Sequence, residues 1–212
     1  MSKVKADITI SADGYVAGPN QSLEDPLGQG GEELHAWVLG LEAWRKPHGL
    51  EGGETGAESD LVDESIAANG ATIMGRRMYS GGSGPWDSDP RARGWWGDDP
   101  PFHHPVFVLT HHEREPLEMD GGTTFHFVTA GIEPALDAAR AAAGDLDVLV
   151  AGGAQAIQQY LNAGLVDELT LHIAPLMLGA GERLFDGVEP LALEPILSLP
   201  GPIATHVRYR VN

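Results

Sequence analysis

The stretch that most constrains this chain is Asp147-Val-Leu-Val-Ala151-Gly152-Gly153-Ala154-Gln155-Ala156-Ile157-Gln158-Gln159-Tyr160-Leu161. Val148 to Ala151 is a short unbroken apolar run, the pattern of a strand buried on both faces. Ala154, Ile157 and Leu161 then recur at helical spacing, and Asn162-Ala163-Gly164 ends the helix. Between strand and helix stands a glycine pair with no side chain to block a ligand. Free backbone N–H groups at a helix start, aligned with the helix dipole, favour phosphate. The spacing is that of a pyrophosphate cradle, and equally that of a tight connecting turn with no ligand. It is not the G-x-G-x-x-G dinucleotide fingerprint, because the order is Gly-Gly-Ala-Gln-Ala, late in the chain. The next strand, Leu169 to Ala174, carries no acid at its end, which disfavours a standard Rossmann domain.

Charge makes any basic cluster informative. Thirteen basic against 31 acidic residues give a formal net charge of −18 over 212 residues. Such a surface repels phosphate backbones and argues against nucleic-acid binding. The length suits one core, and residues 1–212 read as a single domain. No run approaches the roughly 18 apolar residues of a membrane span. The start, Met-Ser-Lys-Val-Lys-Ala-Asp, has no secretory hydrophobic region, so a cytoplasmic protein is expected. The absence of cysteine excludes disulfides and thiol ligands.

Lys3 to Ser11 alternates and reads as a strand ending in the turn Ala12-Asp13-Gly14-Tyr15-Val16-Ala17-Gly18. Asp13 either caps this turn or presents its carboxylate where open α/β sheets hold ligands. A helix with Leu34, Trp37, Val38, Leu41 and Trp44 on one face is expected from Glu32 to Lys46, with both tryptophans in the core. A flexible loop over 48–56 and a helix over Asp60–Asn69, begun by Ser59, follow. Ala71 to Met74 is a strand leading at once into Gly75-Arg76-Arg77, a second glycine turn now carrying two guanidinium forks suited to phosphate. Paired arginines also occur on solvated helix faces. Trp86, Trp95 and Trp96 are expected to pin an irregular segment over 81–101. Further strands are read at Pro105–Thr110, Thr124–Val128 and Val166–Ala174, a helix at Ile132–Ala143, and a closing hairpin at 191–211. His103-His104 and His111-His112 are adjacent pairs whose rings point opposite ways on extended chain, so no metal site is expected.

Taken in order, Ser11-Ala-Asp-Gly-Tyr-Val-Ala17, Ile73-Met-Gly-Arg-Arg-Met-Tyr79, Val150-Ala-Gly-Gly-Ala154, Leu161-Asn-Ala-Gly-Leu-Val-Asp-Glu-Leu169 and Ala174-Pro-Leu-Met-Leu-Gly-Ala-Gly-Glu-Arg-Leu-Phe185 span nearly the whole chain. This set resembles the dihydrofolate reductase-like superfamily, and more closely the reductase domain of riboflavin-biosynthesis deaminase–reductases and its stand-alone relatives. The resemblance implies one α/β domain with a mostly parallel central sheet, helices on both faces and an antiparallel C-terminal hairpin. It implies NADPH as hydride donor, a small heterocyclic or carbonyl/imine substrate, and a homodimer. Gly75, Arg76 and Arg77 would meet cofactor phosphates, with Thr110 and His111 at the adenosine end. Gly152, Gly153, Ala154 and Gln155 would cradle the pyrophosphate, and Ala17 would lie near the nicotinamide. Asp13 would stand on the substrate side as the candidate proton donor.

Two departures narrow this. The deaminase half needs a zinc signature with cysteines, which this chain cannot supply. The acid that protonates the pterin in dihydrofolate reductases has no clear counterpart; Asp60, Asp63 and Glu64 are candidates by order alone. A nucleotide-binding protein without turnover, or a reductase holding a flavin or deazaflavin in the same cleft, are the rival readings.

Overall fold

A nine-stranded sheet organises residues 2–212, which the computed structural model describes. β1 (Val4–Ser11) is the alternating first strand, and it turns at Asp13-Gly14 into the short β2 (Tyr15–Ala17). The long connection that follows holds a 3-10 turn (Gly31–His35), α1 (Ala36–Leu39), α2 (Glu42–Arg45) and α3 (Ala57–Ala68). β3 (Asn69–Gly75) leads into the short α4 (Arg76–Ser80), and an irregular stretch over 81–104 leads to β4 (Pro105–Leu109). β5 (Leu117–Glu118), β6 (Thr124–Val128), α5 (Ile132–Ala143), β7 (Asp147–Gly152), α6 (Ala154–Asn162) and β8 (Glu168–Ala174) come next. β9 (Glu182–Arg183), β10 (Leu193–Pro200) and β11 (Thr205–Val211) complete the chain.

The sheet order is β10-β11-β8-β1-β7-β3-β4-β6-β5. β8, β1, β7, β3, β4 and β6 are mutually parallel. The β10–β11 hairpin adds antiparallel strands at one edge and β5 at the other. β2 and β9 form a separate small ladder in which Ala17 lies opposite Glu182. Because successive residues of a strand face opposite ways, β1 has two characters. Val4, Ala6 and Ile10 pack with Leu136, Ile157, Tyr160 and Leu161 of α5 and α6, forming the main core. Asp7, Thr9 and Ser11 face the other way, toward the layer built by α1 to α3. Farther along that second face, Met74, Val106, Val108 and Phe125 pack beneath Tyr79, Trp86, Trp96 and Phe102.

The helix expected from Glu32 to Lys46 is broken into three pieces. Leu41 leaves helical geometry (φ −75°, ψ 141°) to bridge Glu54. The loop over 48–56 is thereby tied to the body: Glu54 N–H donates to the Gly40 carbonyl (2.8 Å) and Glu42 N–H to the Glu54 carbonyl (2.9 Å). Gly53 permits the close approach, since a Cβ there would meet Glu42 N at 2.5 Å. α3 begins at Ala57, earlier than expected; Ser59 lies inside it, and its hydroxyl accepts from Ala43 N–H at 3.1 Å. Trp86 pins the irregular segment as expected, donating from Nε1 to the His112 carbonyl at 2.9 Å.

Candidate functional site

β3 and β7 are neighbours in the sheet, with Met74 opposite Gly152, so their two glycine turns leave the sheet side by side. They touch: a Cβ on Gly75 would lie 3.5 Å from Gly153 N and 3.7 Å from the Gly152 carbonyl oxygen. The Gly152–Gly153 peptide is cis. β4 ends beside β3 and delivers Thr110 and His111 to the same edge. A groove of about 340 Å³ results, lined by Gly75, Arg76, Arg77, Thr110, His111, Gly153, Ala154 and Gln155 among others. Eight of the expected cofactor residues therefore meet at one groove. A second cavity of about 520 Å³ adjoins it, and Arg77, Gln155 and Glu182 line both.

Within the groove the residues are not equivalent. Gly153 caps the start of α6 without any side-chain bond, so the Ala154 and Gln155 amides are left for a ligand, while Ala156 N–H already donates to the Gly153 carbonyl at 3.0 Å. Nothing lies within 4 Å of a Cβ built on Gly153, so that face of the turn is open. Gly152 sits behind, with a positive φ of 132° that suits glycine. Arg77 is exposed, and no carboxylate pairs with it among the described residues.

Arg76 departs from the expectation. Its guanidinium is buried, hydrogen-bonded to Ser80 Oγ and Asp89 Oδ2, and laid over the Trp86 ring 3.8 Å from the centroid. Its charge is already spent on closing the irregular segment, so Arg77 is the cation left facing the groove. Ala17 is buried in β2 and reaches the groove only through Glu182, its partner across the ladder. Burial raises the Glu182 carboxyl above the usual range, and Arg77 partly opposes this.

Asp13 also departs. Its carboxylate accepts from Ser11 Oγ (2.6 Å), Leu178 N–H (3.1 Å) and Gly179 N–H (2.8 Å). The Ser11 hydroxyl and then those amides hold it below the ordinary carboxylate range. A group stabilised as the anion has no proton to give at neutral pH. Asp13 is a clasp between two loops rather than a free acid.

Sequence reasoning passed over the most connected polar cluster. His172 Nε2 meets Asp7 Oδ1 at 2.6 Å, and His172 Nδ1 meets His206 Nδ1 at 2.7 Å. His206 Nε2 in turn meets Glu58 Oε1 at 2.8 Å. Trp37 covers both rings, with centroids 4.4 and 4.7 Å away, and its Nε1 donates to Thr9 Oγ1 at 3.1 Å. The available signal was a histidine within each of two strands, His172 inside β8 and His206 near the start of β11, and the polar alternation Asp7, Thr9, Ser11.

With this geometry in hand, the chain can be placed among known proteins. Its residues 2–201 match the RibD C-terminal domain. The chain belongs to that family, whose members are oxidoreductases. Among solved structures it is similar to a protein of Shewanella sp. PV-4 assigned to riboflavin biosynthesis, at 20% identity and TM-score 0.64, over 99% of each chain. It is also similar to the diaminohydroxyphosphoribosylaminopyrimidine deaminase/5-amino-6-(5-phosphoribosylamino)uracil reductase of Thermotoga maritima, at 15% identity and TM-score 0.57. There the match covers all of this chain and 57% of the longer one. Dihydrofolate reductase from Enterococcus faecalis, complexed with NADP(H), is 12% identical with TM-score 0.50, over 99% and 96% of the two chains. At these identities the likeness is one of fold. The curated proteins gave no match.

Proposed function

We propose that the protein is an NADPH-dependent reductase of the riboflavin-reductase type, acting on a small heterocycle or a carbonyl or imine. The observation that carries this is the meeting of the two glycine turns at one groove, with the uncapped start of α6 on one side and the unpaired Arg77 on the other. Gly153, Ala154 and Gln155 would hold the pyrophosphate, Arg77 the additional phosphate, and Thr110 and His111 the adenosine end. Gly152 and Gly75 would shape the turns, and Gly18 with Glu182, backed by the buried Ala17, would border the nicotinamide. The bound dinucleotide supplies the hydride. The chain's own task is to orient it, to exclude water and to furnish the proton.

Thermal shift and equilibrium binding with NADPH, NADH, FAD and a deazaflavin test this. NADPH should stabilise the folded protein most, since a ligand that binds only that state raises its stability. Gly153→Val fills the open cradle without asking for a positive φ, and should lower affinity for NADPH and NADH alike by about 100-fold. Arg77→Ala should weaken NADPH about tenfold more than NADH. Equal losses would remove Arg77 from the extra phosphate. Preferential stabilisation by a flavin, or a coloured cofactor retained through purification, would replace the nicotinamide. NADPH binding without oxidation by 5-amino-6-(5-phosphoribosylamino)uracil or by simple imines would favour a binding protein.

Homodimer formation belongs to the same reading. β10 is an edge strand, and Ile196 on it and Ile203 in the turn are exposed, surfaces that suit a second copy. Sedimentation should give twice the monomer mass, reduced to one by Ile203→Lys.

A further inference from the structure

The groove and the second cavity share a wall, and among the described residues Arg77, Gln155 and Glu182 are the ones that line both. A hydride passing from a dinucleotide in one space to an acceptor in the other crosses that wall, and the matching proton is needed at the same place. Arginine stays protonated throughout the range in which proteins fold, and a glutamine amide does not ionise. Glu182 is the one member of the wall that can give up a proton and take it back.

Its backbone is fixed from three sides. Glu182 lies opposite Ala17 in the β2–β9 ladder. Gly181, just before it, is pressed so close to the Ala17 carbonyl that a Cβ there would collide with the oxygen. Just after it, Gln158 of α6 donates from Nε2 to the Arg183 carbonyl at 2.9 Å and to the Leu184 carbonyl at 3.1 Å. The half-buried carboxyl itself has no hydrogen bond or ion pair among the described residues, so its oxygens are left for a ligand. Asp13 is the contrast, with both oxygens engaged by the Ser11 hydroxyl and two amides.

The charged groups around Glu182 come from several elements. α4 supplies Arg77, which favours the carboxylate, but burial outweighs it and holds Glu182 toward its neutral form. Arg183 is turned over the Tyr15 ring, 4.7 Å from its centroid, and the Tyr15 hydroxyl donates to the Gly179 carbonyl at 3.3 Å. Asp186 lines the second cavity and His111 the groove, while α6 contributes the neutral Gln155 and Gln158. Phosphates bound in the groove would take up the Arg77 charge and favour the neutral carboxyl further.

Building on the reductase reading, we infer that Glu182 is the proton donor of the reduction, facing the acceptor from the wall between the two cavities and loaded with its proton once bound phosphates neutralise Arg77. In the step itself, the carbon of a C=N or C=O bond gains a hydride from the reduced nicotinamide, and its π electron pair moves to the heteroatom. The heteroatom gains the Glu182 proton as the carboxyl O–H bond breaks. The products are the saturated C–N or C–O bond, the oxidised nicotinamide and a Glu182 carboxylate, which recovers a proton from water as product leaves.

Linkage gives a test that needs no acceptor. If Glu182 carries a proton in the complex, NADPH affinity falls as pH rises through its titration, because the ionised carboxyl must first be reprotonated. Wild type should lose about tenfold in NADPH affinity between about pH 5 and 9 beyond any change seen in Glu182→Gln, which cannot titrate there. The cofactor phosphate and His111 titrate in both proteins and cancel from the difference. Equal pH dependence in the two overturns the loading of Glu182. With NADPH and 5-amino-6-(5-phosphoribosylamino)uracil or a simple imine, Glu182→Gln should lower kcat by about 100-fold, the usual scale of general-acid catalysis, while binding NADPH no more weakly than wild type. Glu182→Asp, which keeps the carboxyl on a shorter stem, should recover part of that loss. Wild-type kcat in a folded Glu182→Gln variant overturns the donor role and leaves the reductase reading standing. If wild type itself binds no NADPH, or binds it and turns over neither acceptor, the reductase reading fails and the donor role falls with it.

Discussion

The two faces of β1 are built on opposite principles. One presents Val4, Ala6 and Ile10 to α5 and α6, where Leu136, Ile157, Tyr160 and Leu161 are all but fully buried. The other presents Asp7, Thr9 and Ser11 to a broken helical layer, and its neighbours on β8 and β11 are Thr170, His172, His206 and Arg208. The first face is close-packed hydrocarbon, with one buried hydroxyl, Tyr160, satisfied by the Ile132 carbonyl at 2.8 Å. The second is a set of polar groups each held by another, where removing one member strands its partner. Stability is concentrated on one side of the strand and titratable chemistry on the other.

Ile157→Ala should break this comparison most visibly. Ile157 is fully buried in the main core, so the change should cost about 3–4 kcal/mol, the transfer term plus the cavity. Urea unfolding measures it, and the NADPH affinity of the folded fraction should not change. A loss below about 1 kcal/mol would mean that the α6 face is not the main source of stability.

Thr9→Val probes the opposite face with a nearly isosteric change. It leaves the Trp37 Nε1–H without its acceptor in a buried site, at a cost of about 1–2 kcal/mol. Because Thr9 hydrogen-bonds to none of Asp7, His172, His206 and Glu58, the ¹⁵N signals of the neighbouring His172 ring should stay in place. Their movement would show that Trp37 orients the rings.

The fold and the groove were legible in the sequence because both follow from local patterns. The glycines after β3 and β7 mark where two strands must turn, and parallel neighbours place those turns together. What stayed hidden depends on partners distant in the chain or in irregular segments. Arg76 reads as a phosphate fork until Asp89, at the end of a 3-10 turn, takes its guanidinium. Asp13 reads as a free acid until the amides of Leu178 and Gly179 close on it. The break at Leu41 comes from a backbone bridge to Glu54 that no helical periodicity encodes. Asp7, His172 and His206 sit on three separate strands, and only the register β1–β8–β11 aligns them.

The smallest effect lies on the polar side of β3. His104 Nε2 meets Thr72 Oγ1 at 2.8 Å. Burial, helped by the neighbouring charge of His103, lowers the His104 ring from 6.5 to about 4. The folded state therefore prefers the neutral ring, while the unfolded chain takes up a proton near pH 6.5. Between those values the unfolded state binds more protons, so stability rises with pH across the window and is lost as pH falls from 6.5 toward 4. After allowance for partial solvent screening the loss should be about 1 kcal/mol. His104→Gln keeps a donor for Thr72 and removes the titration, so its stability should vary less with pH between 6.5 and 4 than that of wild type. His35, His126 and His206 are lowered by burial as well and leave a residual slope in both proteins. Identical slopes for the two would show that His104 titrates alike in the folded and unfolded states, and that this side of the sheet is wetter than its burial implies.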